Sequence, residues 1–231
     1  MGRLINSFAE QEVFFHAPPE YLRESEQDAR MPFFFTLASL EQLGRLLGCR
    51  HNLFVEITPD HDCQHDFMLV QDKQPNFGIA ISSQYAYYPQ TSMLVTHSIN
   101  ERIGLSRIRK MQILTCLQEA ITNAVIHGNL GVKRRCESLA EFEAFHRQVD
   151  AALHVPENRQ LRVYVQAWDY GRWLQICVRH QGPGVLSVRK LSESHPSLEQ
   201  KSGRGLFIIQ SLAQQAWTDD AGKSLYITFA Y

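Results

Sequence analysis

No stretch of this chain stays apolar long enough to cross a bilayer, none of its five cysteines is spaced C-x-x-C, and its charges nearly cancel, with 23 basic against 24 acidic residues and a formal net charge of -1. Each absence removes a class of function. Without an apolar run approaching about 18 residues, a membrane-spanning helix is not expected. An odd number of scattered cysteines (Cys49, Cys63, Cys116, Cys136, Cys177) is no disulfide framework and favours a reducing compartment. The balanced charge supplies no field for direct nucleic-acid binding or for an anionic membrane surface. The first residues lack a basic segment followed by an apolar run and a small-residue cleavage site, and Asn6 stands where myristoylation needs Ser or Thr. The expectation is a cytoplasmic protein that works through protein or small-molecule partners.

What is present is 44% hydrophobic residues over 231 positions, enough for one large domain or a domain with an accessory lobe. Residues 1 to 30 pass through Pro18-Pro19 into the charged YLRESEQDAR, an exposed arm or short helix. Met31 to Leu47 is aromatic and then helical in pattern, with Leu37, Leu40, Leu43, Leu46 and Leu47 at three- and four-residue spacing and Gly48 as the stop. LFVEI, FMLVQ and FGIAIS between 53 and 95 read as short strands, either part of the main sheet or of a separate lobe. Asp60-His61-Asp62-Cys63-Gln64-His65-Asp66 contains transition-metal ligand types, although a polar heptapeptide between strands is more often a solvated loop. Tyr85, Tyr87, Tyr88 and Pro89 are open to two readings, a partner-binding patch or core aromatics.

The chain is organised around Leu117 to Gly131, LQEAITNAVIHGNLG, in a helix expected over Arg107 to His127 with Ser106 as its cap. Glu119, Asn123 and His127 are four apart and form one polar column, beside an apolar stripe of Leu114, Leu117, Ile121 and Ala124. Such a column on an otherwise core-facing helix points to a polar ligand or a metal ion. Gly128-Asn129-Leu130-Gly131 then suits left-handed backbone and a reversal. A helix over Lys133 to Leu153 follows, ended by Pro156. Leu161 to Trp168 and Arg172 to Arg179 alternate as a hairpin around Asp169-Tyr170-Gly171.

Two glycine clusters complete the pattern. The second hairpin strand runs into His180-Gln181-Gly182-Pro183-Gly184, a side-chain-poor turn that a ligand can approach closely. A polar stretch from Leu186 to Gln200 has the look of a flap and leads to Lys201-Ser202-Gly203-Arg204-Gly205, which opens a buried helix from Leu206 to Ala216. Glycines before a helix leave its N–H groups open to an anion that the helix dipole favours. Leu225 to Phe229 is the closing strand.

Taken in order, EAITNAVIHGNLG, the GPG turn and SGRGLFII resemble the histidine-kinase-like (GHKL) ATPase superfamily of gyrase, histidine kinases and mismatch-repair ATPases, closest to the bacterial anti-sigma-factor serine kinases. The resemblance implies an α+β fold, a two-layer α/β sandwich in which a mixed, mainly antiparallel sheet is covered on one face by helices. It places the ATPase domain at 96–231, behind an N-terminal extension or lobe at 1–95 that contains the short strands. It implies ATP and Mg as cofactors, a sigma factor or antagonist-like protein as partner, and a homodimer. Carried over by position, Glu119 matches the general base and Asn123 the magnesium ligand, with His127 and Gly128 beside the phosphates. Gly182 and Gly184 match the turn under adenine and ribose. Gly203, Arg204 and Gly205 match the phosphate turn, Lys201 a basic residue near the terminal phosphate, and Ser224 a hydroxyl near the adenine.

One position departs from the pattern. Where the family places an aspartate that accepts a hydrogen bond from the adenine amino group, this chain has His180. A neutral imidazole accepts through one nitrogen, and a protonated one accepts through neither. Two functions therefore stand side by side: an ATP-dependent protein serine kinase that also sequesters its partner, and a nucleotide-free binding module on the same fold.

Overall fold

The structure is a computed structural model that describes residues 32–58, 61–133, 138–184, 186 and 204–231. The segment expected as a flap, apart from Leu186, lies outside the described residues, as do Asp60, Cys136, Lys201 and Gly203.

Seven strands, β1 (Pro32–Phe35), β2 (Leu53–Glu56), β3 (Phe77–Ser82), β4 (Arg162–Asp169), β5 (Trp173–His180), β6 (Gln215–Thr218) and β7 (Ser224–Ala230), form one open sheet in the order β1-β2-β3-β4-β5-β7-β6. The β1–β2 and β2–β3 pairs are parallel; every later pair is antiparallel. The protein is thus α+β with a mixed sheet. The early strands pair directly with the rest, because β3 meets β4 along Phe77 to Ser82, and residue 95 falls inside a helix.

Strand alternation sends Val163, Val165, Ala167, Leu174, Ile176, Val178, Leu225, Ile227 and Phe229 into one apolar core. Helices α1 (Leu40–Leu47), α4 (Pro89–Ile103), α5 (Arg107–Asn123) and α8 (Arg204–Leu212) close that core from one side, with Leu43, Val95, Ile99, Ile113, Leu117, Ile121 and Ile209 all buried. Helix α6 (Leu139–His154) opens on a capping box between Ser138 and Glu141 and packs Phe145 and Val149 against Ile126. Pro156 begins a further short helix, α7 (Pro156–Gln160), rather than only ending α6.

Helix α2 (Cys63–Gln71) corrects the expectation of a strand at FMLVQ. Asp62 caps it by accepting from the Gln64 and His65 N–H groups, and Asp66 and Val70, four apart, face inward. A five-residue apolar run carries no periodicity that separates strand from helix. This helix lies on the opposite face of the sheet, against Phe34, Leu53, Val55, Ala80 and Tyr164. Helix α3 (Ser83–Ala86) and helix α4 replace what looked like strand texture around Tyr85 to Pro89. Tyr85 and Tyr87 pack against the core, so the core alternative holds for them. In α4 the buried Thr96 and Ser92 hydroxyls donate to the carbonyls of Ser92 and Pro89, and Ser98 donates to the Leu47 carbonyl. Those hydroxyls break the apolar pattern by which the helix would have been recognised. The helix expected to run to Ala216 stops at Leu212, and β6 follows.

Behind the sheet, the loop suspected of metal binding supplies structure instead. Arg162 is fully buried; its Nε donates to Asp66 Oδ2 at 2.9 Å and its Nη2 to the Glu56 carbonyl at 2.8 Å. Tyr164 donates to Asp66 Oδ1 at 2.6 Å, and His61 Nε2 stands 2.9 Å from Asp66 Oδ2. Among the described residues no group of three or more His, Cys, Asp and Glu is arranged to hold a metal ion.

Candidate functional site

Helix α5 does not end where the glycines first appear. It passes into a π-helical turn, Ala124–Asn129, before Gly131 takes a positive φ of 63°. The wider turn carries His127, Gly128 and Asn129 round to face the ends of β4 and β5, and a π-turn inside a helix often marks such a site. His127 Nδ1 donates to the Val132 carbonyl at 2.6 Å.

Asn129 ties the pieces together. Its carboxamide nitrogen donates to Ser83 Oγ at 2.7 Å and to the Arg162 carbonyl at 3.0 Å, while its oxygen accepts from the Gln181 and Gly182 N–H groups at 3.0 and 2.7 Å. A single buried side chain therefore joins the helix end, the start of α3, β4 and the GPG turn. In the sequence Asn129 is one Asn in a run of turn formers, and nothing there separates it from an ordinary turn residue.

The GPG turn lies flush on the helix end. Gly184 N–H donates to the Gly128 carbonyl at 2.9 Å, and a Cβ at Gly184 would overlap the His127 carbonyl oxygen, as one at Gly182 would overlap Asn129. These glycines make room for backbone. Lys223 fixes the turn from the other side: its ammonium donates to the Gly182 carbonyl and, at 2.9 Å, to that of Gly184. No motif marked Lys223; its place follows from β-pairing, since the His180 N–H donates to the Lys223 carbonyl at 3.0 Å.

His180 is 1% exposed, and its ring lies against Gly128, where any Cβ would overlap the ring carbons. Nε2 is 3.2 Å from the Gly222 carbonyl, and Nδ1 is buried with no hydrogen-bond partner among the described residues. Burial holds the imidazole below its usual range, with the Lys223 ammonium adding to the effect and the Gly222 carbonyl opposing it.

Two to three turns back along the same helix, α8 begins against α5. A Cβ at Gly205 would overlap Glu119 Oε2 and stand 3.4 Å from Asn123 Nδ2. Glu119 and Asn123 are both half-buried. Below them the Cys116 thiol is buried, and burial together with the Glu119 carboxylate pushes it up to about 12, so it remains a thiol. The structure thus brings Glu119, Asn123, His127, Gly128, His180, Gly182, Gly184 and Gly205 to one region. Arg204 opens α8; Lys201 and Gly203 are outside the described residues. Ser224 is different: with Cys177 and Tyr226 it lines a cavity on the opposite face of the sheet, beside His65, Met68 and Leu69 of α2 and away from α5 and α8.

The sequence family described as the histidine kinase-like ATPase domain matches residues 81–229. The chain belongs to that family. A search of curated proteins found no significant match. Beside the first turn of α8, Glu119 and Asn123 would offer a carboxylate and a carboxamide to a magnesium-bound triphosphate. At the GPG turn the chain presents the His180 imidazole in place of a carboxylate. No helix among the described residues is long and apolar enough to cross a membrane.

Proposed function

We propose that this ATPase domain is an ATP-binding regulatory protein of the anti-sigma-factor serine kinase type, acting in bacterial partner-switching signalling on a sigma factor or an antagonist-like protein. The observation that carries the proposal is the juxtaposition of Glu119 and Asn123 with Gly205 at the start of α8. Asn123 and the opening N–H groups of α8 would hold the magnesium and phosphates, and bound ATP supplies the transferable phosphoryl group. Glu119 accepts the proton of the partner's serine hydroxyl, and Asn129 keeps the helix end in register with the GPG turn. A homodimer is part of the same proposal.

The buried His180 ring and the Lys223 clamp favour a second reading, a binding module that has given up its nucleotide. Calorimetric titration of ATP with magnesium into the native chain and into His180→Asp separates the two. Saturable heat in the native chain, with phosphoserine appearing on a captured partner and abolished by Glu119→Gln, supports the kinase. No heat in the native chain and clear heat in the variant selects the binding module.

A further inference from the structure

The cavity behind the sheet, onto which Ser224 opens, has no part in the site described above. It has a volume of about 190 Å³ and lies between α2 and strands β4, β5 and β7. A cavity of about 150 Å³ already holds a benzene ring, so one ring with a small substituent fits here. Its floor is neutral and partly aromatic. Gln166, Trp168, Cys177 and Ser224 are buried there beside the half-buried Tyr226, whose ring stacks on Trp217 at 5.4 Å. Burial pushes the Cys177 thiol up to about 12, so it carries no charge.

The rim is cationic. Lys73, Arg179 and His65 stand around it against one acid, Asp72. Among the described residues no hydrogen bond or ion pair engages the Lys73 ammonium or the Arg179 guanidinium. Asp219, whose charge interacts with Arg179, is occupied in accepting from the Lys223 and Ser224 N–H groups at 2.7 and 3.2 Å. Lys73 reaches the rim at a conformational cost: it and Gln74 have φ of 59° and 49°, two side-chain-bearing residues in succession in the left-handed region. Such strain persists only where the surroundings over-determine it, and it gathers at functional sites. Here Trp168 Nε1 donates to the Lys73 carbonyl at 3.1 Å, and the Gln166 amide nitrogen donates to the Leu69 and Val70 carbonyls at 3.0 Å. The floor of the cavity thus holds the strained turn that carries the cation.

We propose that this cavity is an effector site for a one-ring aromatic carboxylate, with the ring against Trp168 and Tyr226 and the carboxylate held by Arg179 and Lys73. The planar guanidinium fork suits a carboxylate, and the aromatic floor suits a flat ring. The site reaches the GPG turn through shared strands. Arg179 and Ser224 are paired across β5 and β7, and the next residue on each strand, His180 and Lys223, points to the opposite face. The His180 N–H donates to the Lys223 carbonyl, and the Lys223 ammonium holds the carbonyls of Gly182 and Gly184. A ligand drawn to Arg179 and Ser224 therefore bears on the backbone that positions the turn.

The test is a titration of the full chain without nucleotide, followed by NMR at the Trp168 indole and Gln166 amide in the cavity and at the Gly182 and Gly184 amides in the turn. The probes are benzoate, salicylate and nicotinate, each beside its own carboxamide, and inorganic phosphate. At least one carboxylate is expected to shift all four signals to saturation and to bind more tightly than its carboxamide by roughly tenfold or more. Arg179→Gln and Lys73→Gln should each weaken the carboxylate by a similar factor and leave the carboxamide unchanged. No carboxylate moving the Trp168 signal, acids and carboxamides binding alike, or undiminished binding in Arg179→Gln overturns the proposal. Phosphate binding as tightly as the carboxylates overturns the role of the ring. Saturation in the cavity that leaves the Gly182 and Gly184 signals in place overturns the effector role.

Discussion

Gly184 and Gly205 both lack the room for a side chain, yet they press on different things. A methyl group at Gly184 would run into the His127 carbonyl, which belongs to the backbone of the π-turn. A methyl group at Gly205 would run into the end of the Glu119 side chain, which can swing aside. Gly184→Ala should therefore cost about 1–3 kcal/mol of stability as an overpacked contact, seen as a lower urea midpoint. Gly205→Ala should shift the midpoint little and weaken magnesium-dependent ATP binding by roughly tenfold or more, because it displaces the carboxylate that the site uses. Equal stability losses in the two variants would contradict this assignment. Asn129→Ala leaves the Gly182 N–H without its acceptor, while the Gln181 N–H keeps the Arg162 carbonyl at 3.1 Å, and should destabilise by about 1–3 kcal/mol. A Gly182 amide that exchanges no faster in the variant would show that Asn129 does not hold the turn.

The elements differ in how openly the sequence announced them. The β4–β5 hairpin was legible because alternation and a turn at Gly171, with φ of 75°, agree. Helix α5 was legible through its period and its Ser106 cap. Helix α2 was not, since a short apolar run fits either periodicity, and α4 was obscured by buried hydroxyls, of which Ser98 finds its acceptor at Leu47, 51 positions away. The polar loop before α2 drew attention for its ligand chemistry, and its real partner, Arg162, is 96 positions away from Asp66. Breaking that buried pair with Asp66→Asn should cost up to about 3 kcal/mol, because the guanidinium then keeps only the more distant Glu56 carboxylate, 3.6 Å away.

The same pair sets an acid response. Burial alone would push the Asp66 carboxyl up, but His61, the Arg162 guanidinium and the Tyr164 hydroxyl together hold it below the ordinary carboxylate range. A depressed folded value contributes stability that is present above about pH 4 and lost as the pH falls through the folded value. Glu56 is shifted the other way, chiefly by burial, so its protonation in acid relieves a cost. The urea midpoint should hold from pH 7 to about 4 and fall below it, and the fall should be smaller in Asp66→Asn. A native midpoint that is flat down to pH 2 would remove Asp66 from this account.

At the scale of the molecule, the sheet decides where the folding unit begins. The division at residue 95 that sequence texture suggested cuts through α4 and discards β3, the strand that pairs with β4 along six residues. It also removes Asp66 and Glu56 from Arg162. The fragment 96–231 should therefore fail to fold alone, giving poorly dispersed amide resonances, while 32–231 should fold. A well-dispersed spectrum from the shorter fragment would make residues 32–95 dispensable to the sheet.

The sequence by itself determined the helix that carries Glu119 and Asn123, the hairpin, the GPG turn and the family they belong to, because each is a local pattern of period or backbone freedom. It also identified His180 as the departure from that family. Tertiary structure alone decided that Asn129 and Lys223 hold the GPG turn, that Ser224 faces away from the site, and that the early strands complete the main sheet. Those outcomes depend on which groups meet across long stretches of chain, and hydrogen bonding and strand pairing over such separations leave no periodic mark on the residues that make them.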